Sequence, residues 1–97
     1  MFTEIIMATA KTFSLHPQVR YRQVADEGVL VHLARGQVLV LNAVGLHIVQ
    51  TLRQPKTREA LLQSILDRFA VEKAQASADL DLYLQALEQE EVLVRQP

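Results

Sequence analysis

Three side chains have the chemistry to bind a metal or shuttle a proton: His16, His32 and His47. No two stand at a local ligand spacing such as i, i+4, and no carboxylate is set beside them at such a spacing. His32 falls in a strand pattern and His47 in a helical one, so each reads as a structural or surface residue. Ser14, Ser64 and Ser77 lack the Gly-x-Ser-x-Gly setting that exposes a nucleophile. Gly28, Gly36 and Gly45 are dispersed, not gathered into a phosphate-binding loop. The chain has no cysteine, which excludes disulfides, thiolate metal sites and cysteine nucleophiles. Asp79 and Asp81 are read as acids at a helix start, where the helix dipole favours them. No catalytic residue, metal or cofactor is expected, and the chain reads as a binding protein and not an enzyme.

Composition narrows the binding partner. The net charge of −1 gives no bulk attraction to nucleic acid or acidic lipid. Strands followed by three helices can make a winged helix-turn-helix, whose recognition helix should carry Arg, Lys, Asn or Gln toward base edges. Here the third helical stretch carries Asp79, Asp81, Glu88 and Glu90, with no Lys or Arg from Ala74 to Val94. Phosphates would repel that face. A DNA-binding regulator stays as the alternative reading, beside a homodimeric assembly module.

The elements that must position any site follow from hydrophobic periodicity. At 97 residues the chain has room for one core. Val19-Arg20-Tyr21-Arg22-Gln23-Val24 alternates like a half-buried strand, Asp26-Glu27-Gly28 reads as a turn, and Val29 to Leu33 is the next strand. Ala34-Arg35-Gly36 then joins it to Gln37-Val38-Leu39-Val40-Leu41, a Gly-containing hairpin signal.

From Asn42 the period becomes helical. Asn42 caps a helix of about Ala43 to Arg53, Thr57 one of about Arg58 to Phe69, and Ser77 a third of about Ala78 to Glu90. Val71 to Ala76 is the connector, and Val92-Leu93-Val94 can pair as a strand or pack on the helices. The expected architecture is α+β: a three-stranded antiparallel sheet followed by a three-helix bundle, winged helix-turn-helix-like. The division is an N-terminal segment, 1–18, and a domain, 19–97. The start lacks the basic residue and long apolar run of a secretory signal, and no stretch reaches the ~18 apolar residues of a membrane span, so a cytoplasmic protein is expected.

Two places hold more apolar residues than a wet surface needs. In Val38-Leu39-Val40-Leu41 both faces are apolar, whereas a two-layer domain covers only one sheet face. Either the N-terminal Phe2, Ile5 and Ile6 fold across the second face or a partner does. In the third helix, Leu80, Tyr83, Leu84 and Leu87 share one side, while Leu82 lies nearly opposite between Ala78 and Ala86.

The order of these pieces resembles the PqqD-like proteins. The residues that carry the likeness run from Asp26-Glu27-Gly28-Val29-Leu30-Val31-His32-Leu33 through Gly36 to Leu41-Asn42-Ala43-Val44-Gly45, and end in Asp79-Leu80-Asp81-Leu82-Tyr83-Leu84-Gln85-Ala86-Leu87. Val38 stands where an aromatic is common, and Arg53-Gln54-Pro55-Lys56 replaces the usual Asp-Gly turn. The resemblance implies a peptide-recognition domain of ribosomally made, modified peptide pathways. It would take the leader of a precursor peptide as an added strand and present it to a modifying enzyme, such as a radical SAM enzyme or a lasso-type protease. On that resemblance the expected contact residues are Gln37, Val38, Leu39, Val40 and Leu41 on the strand and Asp79, Leu82, Tyr83 and Ala86 on the helix.

Overall fold

The computed structural model describes residues 11–96. The five strands are β1 (Thr12–Leu15), β2 (Val19–Val24), β3 (Glu27–His32), β4 (Gln37–Leu41) and β5 (Leu93–Gln96). Three helices, α1 (Ala43–Thr51), α2 (Arg58–Arg68) and α3 (Lys73–Gln89), fill the stretch between β4 and β5. Strands β2, β3 and β4 form an antiparallel sheet in that order, and β1 pairs with β5 in a separate two-stranded ribbon. The expected sheet and helices are thus present, with one element added: β1 lies ahead of the first strand read from the sequence. Its Phe13 is buried, and its backbone also bridges to Lys56. Of Val92-Leu93-Val94, the last two open β5, with Leu93 opposite Leu15, and Val92 is buried just before it. The suggested covering of the sheet by Phe2, Ile5 and Ile6 lies outside the described residues.

Alternation along the sheet decides what each face meets. Opposed residues in the register, such as Tyr21↔Leu30 and Leu30↔Leu39, share one side of the sheet. Val19, Leu30, His32 and Leu41 are buried on the helix side, with Tyr21 and Leu39 packed partly against the core. Arg20, Arg22, Val29, Val31, Val38 and Val40 take the other side. Among the described residues no helix covers that side, and Val38 and Val40 are 61% and 72% exposed.

Three local expectations need correction. The first turn is Ala25-Asp26, with Ala25 at φ 58°, and Gly28 is a strand residue instead of a turn residue. Gly28 packs so closely on α1 that an added Cβ would sit 2.8 Å from Leu46 Cδ1, so its value there is closeness and not turning. The second correction concerns α3, which begins at Lys73, not Ala78. Ala74, Ala76 and Ala78 are strong helix formers, and burial of Ala76 extends the core stripe of Leu80, Leu84 and Leu87 one turn earlier. Ser77 therefore does not cap; its hydroxyl accepts from Arg58 Nη2 at 2.6 Å. Asp79 and Asp81 in turn sit beyond the first turn and have no dipole role. Third, α1 and α2 end at Thr51 and Arg68, one or two residues early. Their caps are as expected: Asn42 Oδ1 accepts from Gly45 N at 2.9 Å and Thr57 Oγ1 from Ala60 N at 3.1 Å.

Candidate peptide-docking site

The outer edge of β4 meets no other strand among the described residues. An antiparallel strand points the N–H and C=O of alternate residues to each side, so its outward groups have no strand partner among the described residues. Beside that edge runs α3, tied to it at both ends. Gln37 Nε2, at the start of β4, donates to Glu90 Oε1 just past the end of α3. Asn42, just past the end of β4, accepts from the Tyr83 hydroxyl. Strand and helix thus run antiparallel as two walls.

The helix wall is apolar. Asp79, Leu82, Tyr83 and Ala86, at i, i+3, i+4 and i+7, line an open groove of about 260 Å³. That volume is below the ~300–1,000 Å³ of small-molecule pockets and suits side chains of a chain laid along it. Leu82 is 66% exposed, although its neighbours Leu80 and Leu84 are in the core. Asp79 sits on the wall and accepts from Gln75 Nε2 at 2.9 Å. Asp81 is engaged elsewhere: Arg58 grips it through Nε at 2.7 Å and Nη2 at 3.1 Å. That guanidinium holds the Asp81 carboxyl below the usual carboxylate range.

The structure brings the expected residues together unequally. Asp79, Leu82, Tyr83 and Ala86 line one groove. Gln37, Leu39 and Leu41 face the helix side of β4, whereas Val38 and Val40 turn to the uncovered face. Val38 and Val40 therefore flank the edge from outside the groove. Sequence reasoning missed the tying residues Asn42 and Glu90. Asn42 was visible only as a helix cap, because its second partner, Tyr83, is 41 residues away.

The histidines take structural places. His32 is buried and its Nε2 lies 3.0 Å from the Glu91 carbonyl oxygen, joining β3 to the turn after α3. His16 packs against it with the rings tilted at 45° and their centroids 4.6 Å apart. His47 Nε2 is 2.6 Å from Ser64 Oγ, which joins α1 to α2. Burial first and the nearby Arg68 charge second lower the His47 pKa, which favours the neutral ring. Ser64 is the sole hydrogen-bond partner of that ring among the described residues, so nothing orients the pair as a nucleophile and its base. Among the described residues no three His, Asp or Glu side chains are grouped to hold a metal, and no helix is long and apolar enough to cross a membrane.

Known proteins share this fold. A family model described as coenzyme PQQ synthesis protein D (PqqD) matches residues 27–93. Among solved structures, TbiB1 in complex with the TbiA(β) leader peptide superposes with a TM-score of 0.74 at 31% identity, covering 82% of this chain and 93% of that one. A lasso peptide synthetase B1 complexed with the leader peptide has the same fold, with a TM-score of 0.71 at 23% identity over 84% of this chain and 96% of that one. Among curated proteins no significant match is found.

Proposed function

The chain belongs to the PqqD family, and on that footing we propose that it is a non-catalytic carrier that captures the leader of a ribosomally made precursor peptide. The observation that carries the reading is the uncharged edge of β4, unpaired among the described residues, beside the apolar wall of α3. A leader laid along β4 extends the sheet by one strand, each backbone hydrogen bond contributing about 0.5–1.5 kcal/mol net. Its side chains alternate: one set enters the groove of Leu82, Tyr83 and Ala86, and the other lies beside Val38 and Val40. Asp79, which lines the groove, is the proposed partner of a basic leader residue. TbiB1, 31% identical, holds a leader peptide, which supports the same class of ligand here. The carrier then hands the precursor to a modifying enzyme, of radical SAM or lasso-protease type, in the cytoplasm. An affinity near 1 μM, about −8 kcal/mol, suits a carrier that must also release.

The test is an NMR titration of the labelled protein with the TbiA(β) leader peptide and with ten-residue peptides selected by display on the protein. Shifts are expected in β4 and in residues 79–86 of α3. Binding that leaves both segments unmoved overturns the reading.

A further inference from the structure

We infer that Asn42 is a positioning residue for peptide capture, holding the Tyr83 ring as a fixed wall of the groove; the inference rests on the capture reading. Asn42 stands between β4 and α1, and its Oδ1 accepts two hydrogen bonds, from Gly45 N at 2.9 Å and from the Tyr83 hydroxyl. An amide oxygen has two lone pairs, so both donors are satisfied together. The Tyr83 ring lies against the first turn of α1. A Cβ added at Gly45 would be 3.1 Å from Tyr83 Cε1 and 3.4 Å from Asn42 Oδ1.

Capping alone does not require this residue type. Ser, Thr and Asp cap as well, but a serine hydroxyl sits on a side chain one bond shorter. The second bond is what the longer side chain adds. Leu80, Leu84 and Leu87 hold the core side of α3, and Tyr83 packs half-buried at its margin, with its hydroxyl end bonded to Asn42. That bond adds a polar anchor to a ring that packing holds on one side only. With the Gln37–Glu90 tie at the opposite end, the separation of β4 from α3 is set before any peptide arrives. Such preorganisation improves affinity by removing an ordering step from binding.

Affinity and thermal stability, measured together, separate positioning from capping. The probe is a display-selected ten-residue peptide that shifts β4 and α3 in the wild-type protein. Asn42→Ser keeps a capping oxygen and loses the reach to Tyr83. Its Kd is expected to rise about three- to tenfold, the scale of one net hydrogen bond, while Tm moves little. Asn42→Asp retains both acceptor roles and should bind like wild type. Tyr83→Phe leaves the ring and the cap in place and should lose as much affinity as Asn42→Ser, and the double variant no more than either alone. Should Asn42→Ser fail to fold, Tyr83→Phe together with Gly45→Ala, which crowds the ring, carries the test. Wild-type affinity in Asn42→Ser, or in both of those replacements, overturns the inference, as do losses that simply add in the double variant. If no selected peptide shifts β4 or α3, the capture reading itself falls, and this inference with it.

Discussion

β2 and β4 flank the same central strand, yet β2 carries Arg20, Arg22 and Gln23, while β4 has no charge in any of its five residues. Arg20 even folds back over its own edge, its Nη1 donating to the Pro17 and Val19 carbonyl oxygens at 2.9 and 3.0 Å. Charged residues on an outer strand discourage another chain from pairing there. The β1–β5 ribbon is closed by a different device. Phe13 exchanges backbone hydrogen bonds with Lys56 at 2.8 and 2.9 Å, and Arg95 lies over the Phe13 ring while paired with Glu88. Two of the outer strands are thus guarded, and β4 alone among the described strands joins an uncovered apolar face to an apolar groove. The difference teaches that β4 is set apart by composition as well as position: among the described strands it is the outer one with neither a charge nor a backbone bridge on its far side.

The most severe way to break that contrast is Leu82→Glu. It places a second acid beside Asp79 in the groove and removes the most exposed apolar side chain of α3. Peptide affinity is expected to fall about 100-fold, the scale of an interface hot spot. Because Leu82 is 66% exposed, the melting temperature should hold. Calorimetric titration beside a melting curve checks both, and a variant that binds normally removes the groove from the site.

A matched pair of changes then exchanges the character of the two edges. Val40→Lys puts a charge on β4 and is expected to weaken binding about tenfold, roughly 1.4 kcal/mol. Arg22→Val removes one from β2, where Arg22 is exposed, and should leave Kd unchanged while promoting self-association at high concentration. Sedimentation over a concentration series reads the second effect. Equal losses of affinity in the two variants would mean that the edges are not distinguished in binding.

Much of this contrast was legible in the sequence, and the rest was hidden for physical reasons. The two-faced apolar run of Val38 to Leu41 and the stray Leu82 were visible because period-2 and period-3.6 patterns report which residues exceed a core's needs. The caps Asn42 and Thr57 were visible because N-cap chemistry is local. The start of α3 was not: Ser77 resembles a cap, but alanine propensity and burial of Ala76 carry the helix back to Lys73. The strand β1 was missed because four residues, Thr12–Leu15, show little alternation by themselves and are ordered by pairing with β5, some 80 residues on. For the same reason, neither Asn42–Tyr83 nor Gln37–Glu90 could be read from spacing.

The smallest expected effect comes from the closed side of the molecule. His47 joins α1 to α2 through the Ser64 hydroxyl, and its pKa is lowered by burial and by Arg68, with a bond to the Ser64 backbone opposing. The unfolded chain therefore takes up this proton more readily than the folded one. The stability due to neutral His47 is fully present above about pH 6.5 and is lost as the pH falls from there through the lowered folded value. Denaturation midpoints between pH 7.5 and 5.0 should show that decline in the wild-type protein and a flatter profile in His47→Gln. At pH 7.5 the same variant should bind peptide as wild type does, since His47 lies in the α1–α2 contact and lines neither β4 nor the α3 groove. A closed-side change would then move stability without affinity, and Leu82→Glu the reverse. If His47→Gln weakened binding as much as Val40→Lys, the two sides would be coupled through α1, and the open edge could no longer be treated as a site separate from the core beneath it.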